Sequence, residues 1–239
     1  MKKIEIVLIL GSAPNALIAK EWPEHCFDAI VAINNAWKIR SDWTHSIFPS
    51  DFPKSRQAKP SKFQSLHSAN DYVEAQNKFG GFVYAGGTMA FTAAYWALEK
   101  FKPKSICFFG CDMVYEGKKT HFYGKGRPDP LRNDITLRSL EAKSARFEAF
   151  AINQECTVLN LSTEKESRLT YERATLKEIC SGQYFSKHCI NTSKFNFALK
   201  KEKQLKYFIK DGRYWKHLEK FSPKEIDALD RLWLDCIET

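Results

Sequence analysis

The residues best suited to chemistry stand just after an apolar run at residues 105–109. Asp112 follows that run, and Tyr115, His121 and Tyr123 follow within the next stretch of loop. A carboxylate, an imidazole and two phenols in one short region can hold and move protons, as acid–base catalysis requires. A lone His or Asp is more often a surface or capping residue, but this combination favours a site. We therefore predict His121 and Asp112 as catalytic residues.

Polar clusters also follow other apolar runs. Residues 6–10, 29–33 and 46–48 are short apolar segments typical of buried parallel strands, and each ends in small or amide side chains. Carboxyl ends of parallel strands meet at one sheet edge, where helix N-termini bind phosphate, although turns and caps use the same residue types. The residues predicted to bind a nucleotide ligand are Gly11, Ser12, Pro14, Asn15, Asn34, Asn35, Ser50, Asp51, Gly87, Thr88, Tyr115 and Tyr123.

Several well-known motifs are missing from the sequence. It lacks the G-x-G-x-x-G motif of dinucleotide-binding proteins and the Walker loop of nucleotide-binding proteins. It also lacks the G-x-S-x-G nucleophile elbow and the H-E-x-x-H metal-binding motif. Cys107 and Cys111 have no His or Cys pair at zinc spacing nearby. We therefore expect no metal and no resident cofactor.

The elements that must position these residues alternate between strands and helices. Strands are predicted at residues 6–10, 29–33, 46–48, 105–109 and 157–161, and residues 157–161 are the last plain strand in the sequence. Helices are predicted at residues 89–101 and 136–154, and residues 53–70 as a long surface loop. Such alternation is typical of an α/β, Rossmann-like domain, a mostly parallel sheet flanked by helices, which we assign to residues 1–182.

The remaining residues, 183–239, are predicted to form a small basic helical appendage. Residues 183–224 hold 11 Lys/Arg against 3 Asp/Glu, interleaved with Phe, Tyr and Trp, in a chain of formal charge +9. Ser222, Pro223 and Glu225 have the pattern of a capped helix start. A basic aromatic segment can meet nucleic acid, an anionic membrane or an anionic substrate, although a solvated surface is the commonest explanation.

Length and composition exclude disordered, collagen-like and fibrous chains. The chain has 239 residues, of which 44% are hydrophobic and 27% charged. Its apolar runs are shorter than the about 20 residues that span a bilayer. Seven scattered cysteines without a signal peptide predict reduced thiols and a cytoplasmic location.

These motifs together resemble the bacterial sialyltransferases of glycosyltransferase family 42. The resemblance covers roughly residues 1–170 and rests on G-S-A-P-N at 11–15, I-N-N at 33–35, G-G-T at 86–88, G-C-D at 110–112 and T-H-F-Y-G at 120–124. It implies metal-independent transfer of a CMP-activated acidic sugar to a cell-surface glycan or glycolipid, as in lipopolysaccharide or capsule biosynthesis. The resemblance implies that Tyr115, offset by about one residue, holds the donor phosphate. The residues that it implies line the CMP-sugar site are Gly11, Ser12, Pro14, Asn34 or Asn35, Gly87, Thr88 and Asp112.

The sequence departs from this family at the position of the catalytic base. The family's catalytic His falls on Lys125, and His121 matches only the earlier, non-catalytic His of the same stretch. Either His121 is the base, or the chemistry differs, or the loop aligns differently. Pro49, Ser50 and Asp51 also replace an N-P-S run.

Two alternatives remain open at this stage. A weaker resemblance, to 6-hydroxymethylpterin pyrophosphokinase-like Rossmann proteins, rests on the same G-x-x-P and G-x-D features and implies ATP and Mg²⁺, for which Asp51 and Asp112 are the acids available. The other is a module that binds nucleic acid through the basic appendage. Under the first resemblance the partners are a CMP-sugar donor and a glycan acceptor, with peripheral contact of the appendage to an anionic inner membrane. Homo-oligomerisation is left open.

Overall fold

A seven-stranded parallel sheet lies at the centre of the computed structural model, which describes residues 3–115, 119–124 and 132–238. Its strands are β1 (Ile6–Leu10), β2 (Ala29–Ile33), β3 (His45–Ile47), β4 (Ser65–His67), β5 (Ser105–Phe109), β6 (Thr157–Asn160) and β7 (Glu172–Arg173). They lie in the order β4-β3-β2-β1-β5-β6-β7, and each neighbouring pair is parallel. The prediction of an α/β, Rossmann-like fold is confirmed.

Seven α-helices flank or follow this sheet among the described residues. They are α1 (Ala69–Lys78), α2 (Phe82–Ala85), α3 (Met89–Phe101), α4 (Leu140–Ile152), α5 (Leu176–Ser181), α6 (Thr192–Leu205) and α7 (Pro223–Leu234). A short antiparallel pair, β8 (Cys189–Ile190) and β9 (Ile237–Glu238), closes the chain. Hydroxyl side chains of Thr88, Ser139 and Ser222 cap α3, α4 and α7, which gives backbone N–H groups of the first turns an acceptor.

Alternate residues of each central strand enter different cores. Val7 and Ile9 of β1 belong to the core that contains α3, while Leu8 and Leu10 belong to the core on the opposite face. This period of two explains why the run reads as continuously apolar in sequence, since both faces of the sheet are covered. The same sheet edge then receives the ends of β1, β2 and β5.

Two predictions about the elements are incomplete. The segment at residues 53–70 lies mostly at the surface as predicted, but it also contains a 3-10 turn (Lys54–Arg56) and strand β4. Residues 157–161 do not form the last strand of the sheet, since β7 pairs with β6. Both β4 and β7 are short and mostly polar edge strands, so no apolar run marks them in the sequence.

The prediction of uniformly reduced thiols is also wrong. Cys26 and Cys180 form a disulfide with a Cα–Cα distance of 4.5 Å, although they lie 154 residues apart in the sequence. The bond joins the 3-10 turn before β2 to helix α5. The remaining five cysteines are free, and four of them are buried.

The C-terminal segment packs against α4 through three buried ion pairs. Lys143 pairs with Asp230, Arg146 with Glu202 and Glu148 with His188, each at 2.7 Å. Trp233 of α7 adds a 2.9 Å hydrogen bond from its Nε1 to Glu202. The division at residue 182 remains a prediction, and the three ion pairs cross it.

None of the helices among the described residues has the length and apolar character that crossing a membrane requires.

Candidate functional site

A cavity opens at the carboxyl edge of the sheet, where β1, β2 and β5 end beside the first turn of α3. Among the predicted site residues, it brings together Gly11, Ser12, Asn34, Thr88, Tyr115 and His121. These residues come from four separate parts of the sequence, so the sheet topology collects them. The expectation that the polar strand ends meet at one edge is therefore met for this set.

The other predicted residues lie elsewhere. Asn15 and Asp112 hydrogen-bond to each other just outside the lining, and Asn35 is buried in the 3-10 turn after β2. Pro14 is the exposed first residue of a 3-10 helix. Ser50 lines a different hollow, and Asp51 is exposed beside it in sequence.

Gly11 is required by packing between two strand ends. A Cβ at this position would lie 2.2 Å from the carbonyl oxygen of Gly110, far inside van der Waals contact. The Gly11 N–H donates to the carbonyl of Phe109 at 2.8 Å, so it is not available to a ligand. The glycine thus allows β1 and β5 to converge beneath the cavity rather than presenting its own amide to a phosphate.

Asp112 is held behind the cavity wall. Its carboxylate accepts hydrogen bonds from Ser162 Oγ at 2.6 Å, from Asn15 Nδ2 at 3.4 Å and from Asn160 Nδ2 at 3.4 Å. The side chain is almost fully buried, and its neighbours Cys111 and Met113 line the cavity instead. This arrangement fits a residue that positions the strand end, and not one that meets a substrate.

Asn160 and Ser162 were missed by the sequence reasoning. They follow the apolar part of β6. The rule that polar residues at the carboxyl ends of parallel strands form the site, applied to β6, would have found them. They do not line the cavity but complete the network that orients Asp112 and Asn15.

The loop carrying His121 is tied to the end of β1. The Phe122 N–H donates to the carbonyl of Ser12 at 3.0 Å, and His121 and Gly124 exchange two backbone hydrogen bonds. The His121 ring lies between aromatic neighbours, with centroid distances of 5.9 Å to Tyr115 and 5.0 Å to Tyr123. Its Nδ1 lies 2.9 Å from the Thr120 hydroxyl, which can donate or accept and so supports either tautomer.

Tyr115 and Tyr123 take different places around that ring. Tyr115 is half-buried and lines the cavity, whereas Tyr123 has an exposed fraction of 42% and stacks on His121 from outside. Lys125, the position of the base in the resembled family, lies outside the described residues.

The first turn of α3 forms one wall of the cavity. Thr88, Met89 and Ala90 line it, and within the described part of the chain the N–H groups of Met89 and Ala90 have no acceptor. Such first-turn N–H groups, at the positive end of the helix dipole, favour an anion. The N–H of Gly87 is different, because it donates to Thr136 Oγ1 at 3.0 Å.

A cluster from the C-terminal half supports this turn. Arg132 donates to the carbonyl of Gly87 at 3.2 Å and to the Tyr214 hydroxyl at 3.0 Å. Burial alone would raise the pKa of Asp134, but hydrogen bonds from Thr136, Tyr214 and Arg132 hold it below its ordinary value. Asp134 is therefore a stable anion that fixes Arg132 beside the start of α3.

Buried amide oxygens mark the strand ends. Among the described residues, Oδ1 of Asn15, of Asn34 and of Asn35 are buried without a hydrogen-bond donor. Asn34 also has a positive φ of 54°, a conformation that asparagine tolerates better than most residues. An unmatched buried acceptor costs about 1–3 kcal/mol, and a ligand group that donates to Asn34 would relieve that cost.

The cavity also has an apolar wall that the sequence analysis did not predict. Ile33, Met89, Cys111 and Met113 contribute to it. Burial raises the pKa of the Cys111 thiol far above its ordinary value, so this sulfur stays protonated. It contributes shape and not nucleophilic chemistry.

Comparison with protein-family models, with curated proteins and with solved structures finds no match. Among the described residues, no three His, Cys, Asp or Glu side chains are grouped so as to hold a metal ion.

Proposed function

We propose that this chain is a metal-independent glycosyltransferase, sialyltransferase-like, that uses a CMP-activated acidic sugar to modify a cell-surface glycan or glycolipid. The observation that carries the proposal is one cavity that is lined both by His121 and by the first turn of α3, together with Ser12, Asn34 and Tyr115. A titratable group and an anion-binding turn therefore line the same cavity.

The donor's phosphate is assigned to the α3 side. The N–H groups of Met89 and Ala90 supply fixed donors for the departing charge, and the Tyr115 hydroxyl adds a further one. Asn34 Oδ1 is an acceptor suited to an amino group of the base or a hydroxyl of the ribose. The cavity volume is about 90 Å³, enough for a phosphate-sized group, so the rest of the donor is assigned to the open edge of the sheet.

His121 is assigned as the base. It takes the proton of the acceptor hydroxyl while the acceptor oxygen bonds to the anomeric carbon, and the bond from that carbon to the phosphate oxygen of CMP breaks. The electron pair leaves with CMP, so the transition state is cation-like and the fixed donors act on the leaving group. Asp112 acts as a positioning residue through its bond to Asn15.

The pyrophosphokinase alternative finds less support in the geometry. That chemistry needs carboxylates beside the phosphates. Asp112 is turned into a network with Asn15, Asn160 and Ser162, and Asp51 is not among the residues that line the cavity.

A membrane partner is part of the proposal. The surface formed by residues 206–220, here called the basic aromatic loop, exposes Phe208, Trp215 and Leu218, with exposed fractions of 45%, 58% and 51%, among exposed cationic side chains. Aromatic and basic residues together suit an anionic bilayer surface. The Tyr214 hydroxyl, next in sequence to Trp215, donates to Asp134 at 2.8 Å in the cluster that contacts Gly87. Through this cluster the loop is joined to Gly87, the residue before the capping residue of α3.

Thermal shift with a nucleotide panel tests the nucleotide part of this proposal. CMP is expected to raise Tm without added metal and to raise it more than UDP, GDP or ATP. Stabilisation by ATP with Mg²⁺ alone would favour the pyrophosphokinase alternative. Stabilisation by none of them would leave the α/β part as a scaffold for the basic segment.

A further inference from the structure

A second hollow lies on the same sheet edge as the candidate site. Its volume is about 410 Å³, and it is formed where β3 and β4 end and α1 begins. Phe48 and Ser50 follow β3, while Ser68, Ala69 and Asn70 follow β4. Gln57 reaches it from the 3-10 turn between these strands.

The strand register places the two cavities side by side. Ile33, which lines the first cavity, is paired with Ile47, and Ile47 is paired with His67, which lines the second. Neighbouring strands are about 4.8 Å apart, so these two lining positions are separated by roughly 10 Å along the edge. That separation is the length of about two linked sugar rings.

The described lining of the hollow is uncharged. Its polar side chains are hydroxyls and amides, those of Ser50, Gln57, Ser68 and Asn70, and among the described residues no Lys, Arg, Asp or Glu lines it. His67 is also neutral in ordinary conditions, because burial lowers its pKa. The first cavity, by contrast, has an anion-binding helix turn. The two hollows therefore suit ligands of different charge.

Several of these groups are held in place. The Phe48 ring stacks on Phe52 with centroids 5.6 Å apart, and Gln57 Nε2 donates to the Phe52 carbonyl at 3.2 Å. Nε2 of His67 is hydrogen-bonded to His45 at 3.0 Å, and Nδ1 lies 3.3 Å from an Asp71 oxygen. Because Nε2 is bonded to His45 and Nδ1 is buried next to Asp71, we assign His67 a role in shaping the hollow and not that of a base.

We propose that this second hollow binds a neutral sugar of the acceptor glycan. Hydroxyl and amide side chains beside an aromatic ring match the hydroxyl groups and apolar face of a neutral hexose. The acceptor role rests on the proposed function, since it places the acceptor hydroxyl next to the donor's anomeric carbon. Sugar binding as such does not depend on it.

Direct binding of neutral sugars tests the proposal. The full chain is labelled at its histidines, and the imidazole signals are followed by NMR during titration with lactose, N-acetyllactosamine and maltose, with galacturonic acid as the acidic comparison. At least one neutral sugar is expected to shift the His67 signal saturably, and galacturonic acid is expected to bind at least fivefold more weakly. The His67 signal is assigned from its loss in His67→Gln.

Two variants localise the binding. Gln57→Ala and Asn70→Ala each remove one hydrogen-bonding group and are expected to weaken sugar binding about three- to tenfold. Gln154→Ala, an exposed glutamine after α4, serves as the matched control and is expected to bind like the wild type. The Tm shift produced by CMP is expected to be unchanged in all three variants.

Each failure has its own signature. If no neutral sugar gives a saturable shift, or if galacturonic acid binds as tightly as the neutral sugars, the second hollow is not a neutral-sugar site. That result leaves any stabilisation by CMP untouched. Sugar binding without any effect of CMP would instead overturn the proposed function while the sugar site stands.

Discussion

The backbone N–H of Phe122 donates a 3.0 Å hydrogen bond to the carbonyl of Ser12. This bond ties the loop that carries His121 to the turn that follows β1. Both Ser12 and His121 line the cavity, so the position of the imidazole is set by the end of a buried strand. The imidazole is thus held on the sheet although it belongs to a loop.

The convergence of β1 and β5 under the cavity gives a prediction about Gly11. Gly11→Ala would place a Cβ 2.2 Å from the Gly110 carbonyl oxygen, a backbone atom that cannot move aside easily. We expect a loss of at least about 2 kcal/mol in the free energy of unfolding, measured by urea denaturation. Gly182→Ala is the control: its φ is +69° but nothing lies within 4 Å. Left-handed strain alone should cost about 1 kcal/mol there. Equal losses in the two variants would refute the steric account.

The buried pair of Arg146 and Glu202 is expected to dominate the attachment of the C-terminal segment. Arg146 is fully buried, and Glu202 also accepts from Trp233. Glu202→Gln leaves a buried guanidinium without its counter-charge, so we expect a loss of about 3–5 kcal/mol in unfolding free energy. The exposed pair Lys104–Glu5 supplies the control, because Glu5→Gln should cost less than about 1 kcal/mol. A small effect of Glu202→Gln would mean that the segment is attached mainly by apolar contacts.

The pair of His188 and Glu148 predicts a pH dependence of stability. Its hydrogen bond to Glu148 raises the pKa of His188, and burial raises the pKa of Glu148. The folded state then binds protons more tightly than the unfolded state. The His188 contribution is therefore complete below its unfolded pKa of about 6.5 and is lost as the pH rises through the higher folded pKa.

Urea denaturation between pH 5 and pH 9 measures this effect as a difference between the wild type and His188→Gln. The wild type is expected to lose its advantage over the variant as pH rises, with a slope of at most about 1.4 kcal/mol per pH unit. A difference that stays constant, or grows with pH, would contradict the assigned coupling.

Sedimentation with lipid vesicles tests the role of the basic aromatic loop. The full chain is expected to bind vesicles of phosphatidylglycerol and phosphatidylcholine at low salt, and to bind pure phosphatidylcholine weakly. Trp215→Ala and Leu218→Ala should each reduce binding several-fold, because they remove exposed apolar area that enters the interface. Phe63→Ala, at an 84% exposed ring outside the loop, should leave binding unchanged. If Trp215→Ala and Leu218→Ala bind vesicles as tightly as Phe63→Ala, the membrane contact lies outside the basic aromatic loop.

Much of the fold follows from local patterns in the sequence. The apolar run of β1 and the Ala-rich α3 identify buried elements because their burial on several sides leaves no polar face. The polar edge strands β4 and β7 carry no such pattern, and their pairing depends on neighbours that only the folded chain provides. The disulfide between Cys26 and Cys180 could not be predicted either, because the spacing of cysteines along the chain does not determine which of them pair.

The site could be predicted in its position more readily than in its details. Because the carboxyl ends of parallel strands meet at one edge of the sheet, Ser12, Asn34 and Asp112 could be placed at that edge. The sequence does not show in which direction each side chain points. Asp112 turns towards Ser162 and Asn160, which the end of β6 supplies. Ser50 follows the neighbouring strand and faces the second hollow instead of the first. Side-chain direction at a strand end is thus set by tertiary contacts that sequence spacing does not encode.

Release of CMP from CMP-activated N-acetylneuraminic acid is the measurement that tests the central claim most directly. It is followed for the wild type, His121→Ala, Asp112→Asn and Lys125→Ala, with His25→Ala as the control at an exposed histidine. The wild type is expected to release CMP without added metal, and His121→Ala to do so about 10²- to 10⁴-fold more slowly while CMP still raises its Tm as in the wild type. No metal-independent CMP release by the wild type, or a near wild-type rate in His121→Ala, would contradict the account.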